Sequence, residues 1–138
     1  MTKLRGIRQW LARFQAPPWP SQPLNQARLV VVDVETTGLS VRHDAILSIG
    51  AVVIERLGLD LTQQFERTLR TDTNRSLDNV LIHGIPPSEI ARGDDPRVVL
   101  ADFSDFIGNS PLFAFHAPFD QSMLQRACRQ HLGASLPN

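Results

Sequence analysis

From Arg28 onward the apolar positions follow first a strand period and later a helix period. Leu29-Val30-Val31-Val32 is an unbroken apolar run rich in β-branched residues, and it predicts a strand buried on both faces. Ile46 to Glu55 (ILSIGAVVIE) predicts a second strand, and the alternating stretch Gln63 to Arg70 a third. The short separations make antiparallel pairing of neighbours the economical arrangement. Ser88 to Ala91 reads as a helical turn opened by Pro86-Pro87. After Asp95 the period becomes helical, with Val99, Phe103, Phe106 and Ile107 on one face until Gly108-Asn109 ends it. Pro111 to Phe115 predicts a short strand. Phe119, Met123 and Ala127 then align along a last helix whose first turn accepts Pro118. Three strands followed by helix, strand and helix predict a mixed α/β fold.

Ahead of this lies a different segment. Leu4, Ile7, Leu11 and Phe14 repeat at helical spacing, with Lys3, Arg5, Arg8 and Arg13 mostly off that face. Pro17, Pro18, Pro20 and Pro23 end the pattern and predict an extended linker. The expected organisation is therefore a basic amphipathic helix with a Pro-rich linker over residues 1–27 and one domain over 28–138. An appendage that packs on the domain or a partner is preferred over a membrane or nucleic-acid anchor, because one short apolar stripe carries little information.

Charge changes the picture modestly. The formal net charge is zero, yet residues 1–27 hold four bases and no acid. The remainder carries all 14 acids against ten of the 14 bases, a net of about −4. Such a body does not grip nucleic acid through a broad basic surface, whereas a protein that holds a strand end through bound cations needs less positive charge of its own. The single Cys128 excludes an internal disulfide and suits a reducing cytoplasm. No apolar run approaches the length of a bilayer span, and the basic N-terminus lacks a signal-peptide core.

The chemistry lies in Val32-Asp33-Val34-Glu35-Thr36-Thr37-Gly38-Leu39. Residues two apart on a strand point the same way, so Asp33 and Glu35 project together from the end of an apolar strand. Adjacent carboxylates repel unless something positive compensates, and a hard divalent cation is the natural compensator. A bare strand-to-turn passage with exposed acids, Gly38 serving the turn, is the plainer alternative. A further acid, Asp120, falls in the first turn of the last helix, where the helix dipole favours an acid without any functional reason.

Taken together with their surroundings, these segments resemble the DEDD superfamily of 3'–5' exonucleases. V-D-V-E-T-T-G-L is similar to its first motif, and the double threonine resembles that of the proofreading (epsilon) subunit of bacterial DNA polymerase III. Ile82-His83-Gly84-Ile85, Phe103-Ser104-Asp105-Phe106-Ile107-Gly108 and Phe115-His116-Ala117-Pro118-Phe119-Asp120 follow in the family's order. The second motif departs from the pattern in having His116 at the place of an asparagine. The third motif, a histidine followed five residues later by an aspartate, is absent: after Asp120 there is no Asp or Glu, and position 136 is Leu. His131 lies too close to the second motif to be the base and reads as a solvent-facing helical histidine.

The resemblance implies a ribonuclease H-like mixed sheet, three antiparallel strands and then parallel additions, with a fifth strand beyond Asn138. It implies two divalent cations, Mg²⁺ or Mn²⁺, with Asp33, Glu35 and Asp120 as catalytic and metal-binding carboxylates. Thr36, Thr37, Leu39 and His83 would surround the terminal nucleotide, although Leu39 also reads as a core residue and His83 as a loop histidine. The implied partners are a single-stranded nucleic-acid 3' end, DNA favoured over RNA, and a DNA polymerase; no membrane partner is implied. Without the third motif the chain by itself is expected to be inactive or weak. The alternative is a non-catalytic nucleic-acid-binding or protein-interaction module on a degenerate exonuclease fold.

Overall fold

The computed structural model describes residues 22–71 and 84–136. The N-terminal helix proposed over Leu4–Phe14 and the position of His83 lie outside the described residues. In chain order the elements are β1 (Leu29–Thr36), β2 (Ile46–Glu55), β3 (Gly58–Thr68), α1 (Pro87–Ala91), α2 (Pro96–Ile107), β4 (Leu112–Phe113) and α3 (Ala117–Leu132). The four strands form one sheet in the order β3-β2-β1-β4. β1 pairs antiparallel with β2, and β2 with β3, whereas β4 returns parallel to β1. This is the mixed α/β sheet that the sequence predicts.

Alternation sorts β1 into two faces. Val30, Val32 and Val34 are buried with Ile49, Ala51 and Val53 of β2 and with Val99, Phe103, Ile107, Met123, Leu124 and Cys128 of the helices, forming one core. Phe65 of β3 adds an aromatic lid to it, 5.4 Å edge-on from Phe103 and 5.6 Å from Phe106. Each fully buried side chain of this size contributes about 1.5–3 kcal/mol through removal of apolar surface from water. On the other face of β1 the sequence turns from Val31 to Asp33 and Glu35, and burial falls accordingly.

The starting end of β1 is clamped by Arg28. Its guanidinium donates to the carbonyls of Phe106 (3.0 Å) and Ile107 (3.3 Å) and to Ser110 Oγ (2.8 Å), and it lies 5.4 Å over the Phe106 ring. These are end-of-helix carbonyls with no partner inside α2, so a cation placed there satisfies them. At the other end of α2, Asp95 caps the helix by accepting from the Arg97 N–H at 2.8 Å.

Two strands, β3 and β4, differ from expectation in their bounds. β3 begins at Gly58 rather than Gln63, because Glu55 and Gly58 pair across a two-residue turn at Arg56-Leu57. Both turn residues have positive φ, 53° and 63°, the geometry that matches strand twist but ordinarily selects Asn and Gly. Three residues then bulge out between the pairs Val53–Asp60 and Val52–Gln64. Asp60 closes that bulge by accepting from the Thr62 N–H and hydroxyl and from Gln63 Nε2, and these bonds hold its carboxyl below the usual carboxylate range. β4 is shorter than the Pro111–Phe115 stretch, since only Leu112 and Phe113 find partners on β1 and Phe115 is fully exposed. At the far end of β1 a register shift between Glu35 and Thr36 lets the consecutive residues Ile46 and Leu47 of β2 both reach the core.

Candidate active site

Because β4 runs parallel to β1, the two strands end at the same edge of the sheet, and α3 starts there. In open α/β sheets this carboxyl edge, where neighbouring strands lead away in different directions, is where ligands bind. Asp33 and Glu35 leave β1 at that edge, two residues apart on the face opposite the valine core. Asp120 arrives from the first turn of α3, where it is buried and its N–H donates to the His116 carbonyl at 3.2 Å.

Electrostatics tie the two elements together. Burial pushes the Asp120 carboxyl up from the ordinary value, and the negative charge of Asp33 pushes it further. Backbone hydrogen bonds at Asp120 and Val34 and the nearby His116 oppose that rise. Asp33 is exposed, so the site is a deep carboxyl and a shallow one within range of each other's field. Among the described residues no three His, Cys, Asp or Glu side chains come close enough to enclose one metal ion. The donor chemistry nevertheless fits Mg²⁺ or Mn²⁺: hard oxygens in a mutually repelling pair, with Glu35 one step along the strand. Mg²⁺ is ordinarily held by one or two carboxylates, water and substrate phosphate rather than by a complete protein cage.

The loop that follows β1 is built on Asp44, which the sequence pattern does not single out. Its Oδ1 accepts from the Thr37 hydroxyl at 3.0 Å and its Oδ2 from the Ser40 N–H at 2.8 Å. The Thr37 hydroxyl in turn accepts from the Ala45 N–H at 3.0 Å, and Thr37 N–H donates to the Ala45 carbonyl at 2.9 Å. Buried Thr37 is therefore a joint of the loop. Thr36 donates its hydroxyl to the Gly38 carbonyl at 2.8 Å, and Leu39 is 87% exposed, outside the core. Gly38 owes its place to proximity rather than to a left-handed backbone: a Cβ there would lie 2.6 Å from Asp44 Oδ2. A clue was available in the short spacing of Thr37 and Asp44, but nothing in their types distinguishes that pair from ordinary loop polarity.

His116, at the N-cap of α3, makes no capping bond and stacks on Phe119 with ring centroids 5.8 Å apart. His131 differs from expectation. It is half-buried and lines a cavity with Arg70 and Arg126 instead of facing solvent, because the last turn of α3 packs beside the start of α2. Eleven residues of helix, about 16 Å of rise, separate it from Asp120, which keeps it from acting as the base at the carboxylates.

With this geometry in place, a comparison with known families is decisive. The model of an exonuclease family, RNase T, matches residues 30–138. The chain belongs to the RNase T exonuclease family. The PolC-type DNA polymerase III of Bacillus subtilis (strain 168) is 32% identical over 109 residues, which is 79% of this chain and 7% of that protein. Among solved structures, the moderately thermophilic exonuclease I of Methylocaldum szegediense superposes with a TM-score of 0.69 at 17% identity, covering 77% of this chain and 24% of that one. E. coli exonuclease I in complex with a dT13 oligonucleotide gives 0.68 at 17% identity, covering 77% and 24%. The exonuclease-family chain thus spans a small part of the length of these relatives. Family and neighbours together place it among the DEDD exonucleases, with their ribonuclease H-like fold, a family generally dependent on divalent metals. No helix among the described residues is long and apolar enough to cross a membrane.

Proposed function

We propose that this domain is a 3'–5' exonuclease acting on single-stranded nucleic-acid ends, DNA in preference to RNA, with Asp33, Glu35 and Asp120 as its metal-binding carboxylates. The observation that carries the reading is that Asp120, in the first turn of α3, and Asp33, near the end of β1, stand at the same carboxyl edge of the sheet, where the charge of Asp33 helps to raise the Asp120 carboxyl. Relatedness to a PolC-type DNA polymerase III and likeness to an exonuclease solved with a dT13 oligonucleotide support a DNA strand as substrate and a polymerase as partner. A lone, buried cysteine suits the cytoplasm.

Two divalent cations, Mg²⁺ or Mn²⁺, would neutralise the charge that develops on the phosphodiester and lower the pKa of an attacking water. The chain's own share is to hold the carboxylates in place. Asp44 and Thr37 set the loop that bears Thr36 and Leu39, and these two, with Thr37 and His83, would border the terminal nucleotide. A positioned general base contributes about 10²–10⁴-fold. Among the described residues the one histidine after Asp120 is His131, eleven residues further along α3 and not in the third motif's place, so the 138 residues alone turn over slowly or not at all.

The test is Mn²⁺ binding by water-proton relaxation, together with anisotropy of a labelled single strand. Saturable Mn²⁺ binding should weaken about ten-fold or more in Asp33→Asn and in Asp120→Asn. Metal should also tighten binding of a strand with an open 3' end more than that of a 3'-blocked one. Mn²⁺ binding indifferent to both substitutions would overturn the assignment. Rapid hydrolysis by the isolated chain would overturn the expected weakness.

The second reading, a non-catalytic binding module, draws on the lack of a closed three-ligand cluster among the described residues. Strand binding without any metal dependence would favour it.

A further inference from the structure

The cavity bordered by His131 lies on the helix side of the same sheet edge. It has a volume of about 200 Å³ and is bordered by Arg70 and Thr71 after β3, Ala45 before β2, and Arg126, Gln130 and His131 on α3. No carboxylate is among the described residues that line it. In a body with more acids than bases, this is a local reversal of sign.

We infer that this cavity is a phosphate-binding pocket, separate from the carboxylate pair, in which Arg126 and Arg70 hold the anion and His131 borders it.

Three observations carry the inference. First, Arg126 uses one guanidinium nitrogen, Nη1, to tether the Arg42 carbonyl at 3.0 Å, while its Nε is buried without a hydrogen-bond partner among the described residues. A buried N–H on a cation is costly to leave unmet, and an anionic oxygen is the acceptor that answers both needs. Second, Arg70 is loosely held. Its guanidinium is 3.9 Å from Asp95, at the outer limit of an ion pair, and Asp95 already accepts from the Arg97 N–H to cap α2. An exposed pair of that kind is weak, so Arg70 can turn to a better anion. Third, the space is sufficient. Liquid water occupies about 30 Å³ per molecule, so the cavity has room for a phosphate group without moving the backbone.

The phosphate could come from a strand or from solution. Arg126 stands six residues along α3 from Asp120, about 9 Å of helix rise, so a strand whose end lies at the carboxylates could place a backbone phosphate here. A free phosphate or mononucleotide presents the same chemistry. Neither source requires Asp33 or Asp120 to be catalytic.

The experiment is calorimetric titration of the 138-residue chain with inorganic phosphate against chloride at matched ionic strength, followed by competition with single-stranded oligonucleotides. Saturable phosphate binding is expected. It should weaken about ten-fold in Arg70→Gln, an exposed position that leaves folding intact, and be lost in Arg126→Gln, with Arg126→Lys recovering part of it. Asp33→Asn should leave phosphate binding unchanged while losing Mn²⁺, which separates this pocket from the carboxylate site. Oligonucleotides that displace phosphate more strongly as they lengthen identify a strand as the source; phosphate that they do not displace identifies a free anion. Absence of saturation beyond chloride, or equal affinity in Arg70→Gln and the unaltered protein, would refute the pocket.

Discussion

The two ends of the sheet are built on opposite principles. At the hairpin end, β2 turns into β3 through two non-glycine residues of positive φ, and Leu57, Leu59 and Leu61 stand 67, 64 and 67% exposed. Backbone pairing holds it, and the Asp60 side-chain bonds there stay inside the bulge. At the carboxylate end, one loop is tied to itself and to α3: the Thr37 hydroxyl and the Ser40 N–H donate to Asp44, and Arg126 donates to the Arg42 carbonyl. Strain and exposed apolar surface are tolerated where nothing has to be positioned. The loop beside the two candidate carboxylates is tied by specific hydrogen bonds, and such sites work only when their supports are rigid.

Substitutions should separate the ends sharply. The largest effect is expected at Gly93, where a Cβ would sit 2.7 Å from the backbone of Leu69 and Arg70 beside the Leu69–Asp94 bridge. Gly93→Ala should cost about 3 kcal/mol, the upper part of the overpacking range, read as a loss of denaturation midpoint. Asp44→Ala should cost about 1–2 kcal/mol by removing the acceptor of the Thr37 hydroxyl proton and of the Ser40 N–H, and should weaken Mn²⁺ binding through the displaced loop. The hairpin end should respond in the opposite direction. Arg56→Asn combined with Leu57→Gly should stabilise the fold by about 1 kcal/mol, raising the melting temperature by roughly 4–8 °C with Mn²⁺ binding unchanged. A loss of stability there would show that the turn is anchored by contacts beyond its backbone.

The smallest effect concerns Asp120. Its folded carboxyl holds a proton to higher pH than its unfolded one, so the native state binds more protons between the ordinary value and the raised one. Stability from this group is therefore fully present below the unfolded value and falls as pH rises through the folded one. Asp120→Asn should raise the metal-free melting temperature by a few degrees at neutral pH, and the gain should vanish in acid below the ordinary carboxylate range. A gain that persists in acid would place its cause elsewhere.

What the sequence displayed and what it hid follow from range. The valines of β1 and the α2 face of Val99, Phe103 and Ile107 were legible because burial repeats with the local period. The start of β3 was hidden because Arg56-Leu57 carries no turn signature and the Asp60 bulge breaks alternation up to Gln63. Leu124 and Cys128 join the core beside the predicted Met123 because α3 meets both β1 and α2, so its apolar stripe is wide. In the site, Asp33 and Glu35 followed from strand alternation, but Asp120 was credible only through family resemblance. Asp44 was hidden because a Thr and an Asp seven residues apart look like ordinary loop polarity, and the cavity face of His131 because a one-dimensional pattern does not record which helices and loops meet across the fold.

Cys128 gives the molecule an internal gauge. Its thiol is completely enclosed between the helices and the sheet, and burial pushes it up to about 12. Alkylation needs both access and a thiolate, so a closed molecule offers a reagent neither. With only one sulfhydryl present, the labelling rate counts how often the core between α3 and the sheet comes apart. Followed with and without Mn²⁺ or phosphate, that rate would report in real time how strongly each ligand keeps the shell shut.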